Sequence, residues 1–332
     1  MARKQTTPFV SFDEQLILFR FFLRELKLDG LSDIAAKLNS VEYEGTNESG
    51  NTYFFEYIAR ICKLRGATIS TDKLRLYDEN ICRHTRQIGD KRGGINWKYF
   101  QYISLLFTEM YLDRYFSDKE AFCAELNTFM SDIRNNSLGR IDFTPYTSDK
   151  MNKLAFMCAT GSGKTLIMHV NILQFLQYFR RAQRVNGHLS INKVIVLAPN
   201  EGMSTQHLDE LKLSSISASL FEKDRGMLTQ KQDVIVIDMN KLKEEGKVKT
   251  VSVMEAFEAQ VEYEDLVRLW QLTSPLRSIV PQVVASLLLR KFFDFFGELK
   301  KAAPLSRSAE PPFLFLYLFP GFSLKQDVIL RS

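Results

Sequence analysis

Cys158-Ala159-Thr160-Gly161-Ser162-Gly163-Lys164-Thr165 is the stretch on which the fold of this chain turns. It follows the apolar run Leu154-Ala155-Phe156-Met157 and precedes Ile167, Val170, Leu173 and Leu176, which recur at helical spacing. A strand, a glycine turn and a helix in that order form a cradle for phosphate. Glycines let successive backbone N–H groups turn inward without a Cβ clash. The helix start adds the positive end of its dipole. In such a loop the lysine reaches the outer phosphates and the hydroxyl after it holds Mg²⁺. At a glycine frequency of about 7%, Gly-x-Gly-Lys-Ser/Thr arises by chance roughly once in a hundred chains of this length. The residues therefore predict an ATP site with Mg²⁺: Thr160, Gly161, Ser162, Gly163, Lys164 and Thr165 on the nucleotide, with Thr165 also on the metal. The widest form of the motif has glycine where Cys158 stands.

Working outward, Val194-Ile195-Val196-Leu197 and Val234-Ile235-Val236-Ile237 are two more short apolar runs. Runs of this kind alternating with helical patterns predict buried parallel strands in an α/β sheet. Upstream the pattern is helical. Leu16, Phe19, Leu23 and Leu26 share a helix face, and helices are expected between residue 9 and about 65. The polar stretch 44–51, with two glycines, predicts a loop, and Lys91-Arg92-Gly93-Gly94 a break. A helix is expected from Trp97 to Phe116, with Tyr102, Leu105, Leu106 and Met110 on one side, and another from Lys119 to Ile133. The tail from about Gln260 is atypical: it holds Leu287-Leu288-Leu289 and Phe292-Phe293-Asp294-Phe295-Phe296, and its stretch from Pro311 to Pro320 shows neither a clear helical period nor strand alternation. The expected organisation is a helical region over 1–145, a P-loop domain over 146–259 and an atypical tail over 260–332.

Composition narrows the class. The 332 residues are 45% hydrophobic and 25% charged, an ordinary globular balance, with a net charge of +5 that mildly favours an anionic partner. The four cysteines, Cys62, Cys82, Cys123 and Cys158, form no C-x-x-C pair and read as reduced thiols in a cytoplasmic protein, with no disulfide or zinc framework. No run reaches the ~18 apolar residues of a membrane span, so no membrane partner is expected.

Several stretches resemble one family. Lys153 to His169 is similar to motif I of the DEAD/DEAH-box superfamily 2 helicases related to the Res subunit of type III restriction enzymes. Leu197-Ala-Pro-Asn-Glu-Gly-Met-Ser-Thr-Gln-His-Leu208 resembles motif Ia, Trp97 to Phe116 the helix ahead of motif I, and Asp233 to Lys243 the next core strand. The resemblance spans roughly 70–258. It implies a double RecA-like motor that hydrolyses ATP to move along DNA, of which this chain would hold an N-terminal helical region and one incomplete RecA-like domain, and a methyltransferase or other restriction-modification partner. By the same analogy Pro199, Asn200, Glu201 and Gly202 lie beside the DNA backbone. The alternative for that loop is a strand-to-helix turn with Ser204 as helix cap. Gln101 is, on the resemblance, the glutamine that reads adenine, or else a surface residue. His169 and His207 read as packing or surface histidines.

A helicase motor also needs a D-E-x-H pair after an apolar strand: the aspartate for Mg²⁺, the glutamate for the attacking water. No such pair is present. Asp13-Glu14, Asp78-Glu79 and Asp209-Glu210 lack the strand, the histidine or both, and Asp238 ends a good strand but is followed by Met239. The second motor domain is absent too. The tail reads either as a frameshifted or replaced end or as a divergent C-terminus. The leading expectation is thus the ATP-binding N-terminal part of a DNA helicase or restriction-like translocase, catalytically incomplete. The alternatives are a non-enzymatic nucleotide-binding interaction module and a different P-loop NTPase using Asp238.

Overall fold

Three side-chain oxygens start three of the helices. Thr52 Oγ1 accepts from Phe55 N at 3.0 Å, Ser70 Oγ from Lys73 N at 3.2 Å, and Asn200 Oδ1 from Met203 N at 2.9 Å. Each satisfies an amide that the helix leaves unpaired at its N-terminus. The computed structural model describes residues 16–30, 32–136, 145–148, 151, 153–158, 161–187, 193–198, 200–221, 233–238, 266–271 and 315–320.

Six helices come first: α1 (Ile17–Glu25), α2 (Ser32–Leu38), α3 (Tyr53–Leu64), α4 (Thr71–Gly89), α5 (Tyr99–Ser117) and α6 (Lys119–Asn136). The loop at 44–51 and the break after Arg92 fall where the glycines predict them. Gly93 (φ +73°) and Gly94 (φ +98°) occupy the left-handed region that ends α4 and its short continuation. Two features of these helices differ from the sequence expectations. Helix α4 adds a long element that the apolar pattern did not announce. Helix α5 is not two-faced: it buries residues all round, Tyr102, Leu105, Phe107, Met110 and Leu112 among them, because α1, α2, α4, α6 and α7 all pack on it.

The α/β part begins with β1 (Lys153–Cys158), which leads into α7 (Lys164–Val185). Strand β2 (Lys193–Ala198), helix α8 (Glu201–Leu213), β3 (Ala218–Leu220) and β4 (Val234–Asp238) follow. Strands β5 (Leu266–Gln271) and β6 (Phe315–Pro320) complete an all-parallel sheet of order β1-β6-β5-β2-β4-β3. The chain is thus mostly helical with a parallel sheet, a partial α/β domain of RecA-like type. One apolar cluster runs unbroken from Leu16 on α1 through α5 and α7 to Val236 on β4. No helix among the described residues is long and apolar enough to cross a membrane.

Between α4, α5 and α7 the interface is polar yet buried. Glu109 accepts from Asn80 Nδ2 and from Tyr178 OH, each at 2.8 Å. Asp113 accepts from Tyr77 OH at 2.9 Å and pairs with Lys73 at 2.7 Å. Gln174 donates to the Leu105 carbonyl at 3.0 Å. Burying such groups is tolerable because most find partners.

Candidate nucleotide site

The phosphate loop joins β1 to α7. Gly161 and Gly163 both have φ +78°, the left-handed conformation that costs an L side chain roughly 1–2 kcal/mol. Around Gly161 nothing lies within 4 Å of where a Cβ would be, so the demand there is purely on the backbone. At Gly163 a Cβ would also come within 2.5 Å of Gln101 Nε2. Gly163 is the N-cap of α7 and brings no side chain of its own to the first turn. Lys164, the first residue of α7, is buried, and Thr165 behind it is half-buried. The Ser162 hydroxyl is buried without a hydrogen-bond partner. An orphaned donor beside a lysine at a helix start fits a phosphate group. Among the described residues no cluster of three His, Cys, Asp or Glu could hold a metal. Mg²⁺ would therefore be held as it commonly is with nucleotides, by the phosphates, water and one hydroxyl, that of Thr165. Thr160 lies outside the described residues.

Gln101 reaches this loop from α5. Its Oε1 accepts from Lys98 N at 2.8 Å, and its Nε2 donates to the Ser162 carbonyl at 2.8 Å. Nothing in the spacing of 61 residues between the two announces this contact.

The second candidate loop stands between β2 and α8. Asn200 caps α8, and Glu201 and Gly202 form its first turn. The expected cap, Ser204, is instead inside the helix, its hydroxyl donating to the Asn200 carbonyl at 3.2 Å. The cap falls four residues earlier because Asn200 has the extended backbone that a cap needs and Ser204 does not. Pro199 lies outside the described residues.

Asp238 ends β4 and is buried. Strands β2, β5 and β6 separate β4 from β1. Four strand spacings of about 4.8 Å put Asp238 roughly 19 Å across the sheet from the phosphate loop. That is too far for a ligand of a metal held at Thr165. Neither β6, which pairs β1, nor β5 next to it contains a carboxylate, and in the sequence the first acid after β5 is Asp294.

His169 and His207 are both interior. His169 Nδ1 lies 2.7 Å from Ser214 Oγ, and burial, with Arg92 adding to it, pushes the His169 imidazole down to about 3. Burial also lowers His207. Arg92, from the turn after α4, donates to the Glu210 carbonyl at 2.9 Å and pairs with the Glu210 carboxylate at 2.6 Å. It thereby clamps the end of α8. The sequence reading missed Arg92; its only signal was a charged residue at a glycine break. Cys62, Cys82 and Cys123 are buried thiols outside any disulfide, and burial pushes the Cys82 thiol up to about 12.

Residues 119–266 match the family model described as Type III restriction enzyme, res subunit. The match opens at the first residue of α6, closes at the first residue of β5 and includes both candidate loops. No curated protein matches the chain. The matched segment is thus similar to this family, a likeness consistent with a DEAD-like superfamily 2, ATP-binding helicase-like module.

Proposed function

We propose that this chain, whose residues 119–266 match the model of the type III restriction enzyme res subunit, binds ATP with Mg²⁺ and serves as the first half of a DNA-translocating motor. One observation carries the reading. Two left-handed glycines, Gly161 and Gly163, hand the chain from β1 into α7, with the buried Lys164 at the first helical position. Backbone amides from Thr160 to Gly163 would cradle the phosphates, the Ser162 hydroxyl would add a donor, and Lys164 would meet the outer phosphates as a point charge. Thr165 would hold the Mg²⁺, which when bound neutralises charge on the phosphate oxygens. The Pro199, Asn200, Glu201 and Gly202 loop would meet DNA through its backbone, because the Asn200 side chain is committed to its cap. Contacts of that kind read phosphates and not bases. A cytoplasmic setting and a modification-type partner subunit accompany the proposal.

Calorimetry on the Lys164→Ala variant tests it. Loss of one charge-assisted bond costs on the order of 2–3 kcal/mol, so ATP affinity should fall roughly 30- to 150-fold. Equal affinity in the variant sinks the proposal. A second reading, a nucleotide-binding interaction module without turnover, is favoured by the lack of an acid after β5. A hydrolase built on Asp238 is disfavoured by the three strands between β4 and β1.

A further inference from the structure

We infer that Gln101 is a positioning residue for the phosphate loop, serving every nucleoside triphosphate alike, and is not the reader of adenine. The inference rests on the nucleotide site proposed above and assigns a role inside it.

The argument starts from the peptide bond between Ser162 and Gly163. That unit is planar and trans, so its C=O and N–H point in opposite directions. Gln101 Nε2 holds the Ser162 oxygen at 2.8 Å, on the α5 side of the loop. The Gly163 N–H is thereby aimed away from α5, and in a phosphate cradle the loop amides are the groups that meet the ligand. Left to itself this unit has little to fix it, since glycine at 163 accepts either sign of φ. An external tie is needed to hold the amide in the donor array, and Gln101 supplies it.

The tie is short and its base is firm. The other end of the amide, Oε1, is bound to Lys98 N at the start of α5 at 2.8 Å. Two bonds from opposite ends fix the amide plane between α5 and the loop. Reading a base would require the same amide to offer a donor and an acceptor together to one ligand edge. Helix α5 is itself locked against α7 by the bond from Gln174 to the Leu105 carbonyl and by the Tyr178–Glu109 bond. The brace therefore stands on the same helix layer that backs α7. Gly163 completes the fit: a Cβ there would meet Gln101 Nε2 at 2.5 Å, so the amide lies flat against the glycine.

The test compares ATP, GTP and inorganic tripolyphosphate on the full chain, wild type against Gln101→Met, which keeps length and lacks both polar ends. Calorimetry should show all three affinities falling by a similar factor, about tenfold for one misaimed donor. A loss confined to ATP, with GTP and tripolyphosphate unchanged, identifies a base reader and overturns the inference. So does an unchanged affinity for all three. A partly unfolded variant would also bind all three less, so a spectroscopic signature accompanies the measurement. On addition of tripolyphosphate the Gly163 amide proton should move downfield in the wild type and fail to do so in Gln101→Met, while the Thr165 amide still moves. A Gly163 shift that survives the substitution overturns the inference. Gln101→Ala, read the same way, guards against an effect peculiar to methionine. A wild type that binds neither ATP nor tripolyphosphate would instead sink the nucleotide site itself, a separate outcome.

Discussion

Glu109 is a carboxyl with nowhere to put a charge. It is fully buried on α5, and one oxygen accepts two hydrogen bonds while the other has none. Burial raises its pKa to about 7, although Asn80 and Tyr178 pull it down. The folded value lies above the unfolded one near 4.3. Between those two values the unfolded chain gives up a proton that the folded chain keeps, so stability falls as pH rises through the window. The penalty is absent below about 4.3 and complete above about 7, where it amounts to roughly 4 kcal/mol. Glu109→Gln removes it. Urea unfolding at pH 5 and pH 8 should show the wild type losing stability relative to this variant as pH rises. Parallel curves for the two proteins would mean that Glu109 is not ionising in this range.

At the scale of elements, α8 hangs between two anchors: the Asn200 cap at its start and the Arg92 clamp at its end. Asn200→Ala should cost about 1 kcal/mol of stability, as a lost N-cap does, read as a lower urea midpoint. If DNA meets only the backbone there, the slope of log affinity against log salt should not change in this variant, since no phosphate contact is removed. A reduced slope would assign the side chain a direct contact. Elements also differ in how far the sequence discloses them. The phosphate loop is legible because its chemistry is local: two glycines, a lysine and a threonine in consecutive positions. Strands β2 and β4 are legible as four-residue apolar runs, buried on both faces. Helix α4 is not, because its interior side mixes Leu74, Tyr77 and Ile81 with Asp78, Asn80 and His84. Its partners are polar groups on α5 and α7 that no periodicity reveals. Strand β5, Leu-Val-Arg-Leu-Trp-Gln, carries an arginine in mid-run, and its slot between β2 and β6 follows from pairing far along the chain. The Gln101 contact is hidden for the same reason: local pattern does not encode which loop a helix start will touch.

At the scale of the molecule, the site has phosphate donors, and among the described residues no acid stands beside it to position an attacking water. A general base is worth roughly 10²–10⁴ in rate, and an arginine reaching in from a partner domain 10³–10⁵ in other NTPases. The chain by itself should therefore release phosphate slowly even with single-stranded DNA present. Turnover above ~1 s⁻¹, within the ordinary enzyme range, would show that a carboxylate elsewhere in the chain completes the site.

The unbroken apolar cluster from Leu16 to Val236 bears on how such a protein can be inherited. Helix α7 turns one flank to the sheet and another to α5, and the α5 flank carries residues as large as Phe175 and Phe179, both buried. Recombination that kept β1 through β4 and discarded α1 to α6 would hand that flank to water, at about 25 cal/mol for every Å² of apolar surface laid bare. The helical layer is in that sense no accessory that a lineage can swap for another. Its ancestry and that of the phosphate loop have to travel together, and a residue such as Tyr102, bonded to Asp78 within the helical layer, is answerable to selection on both.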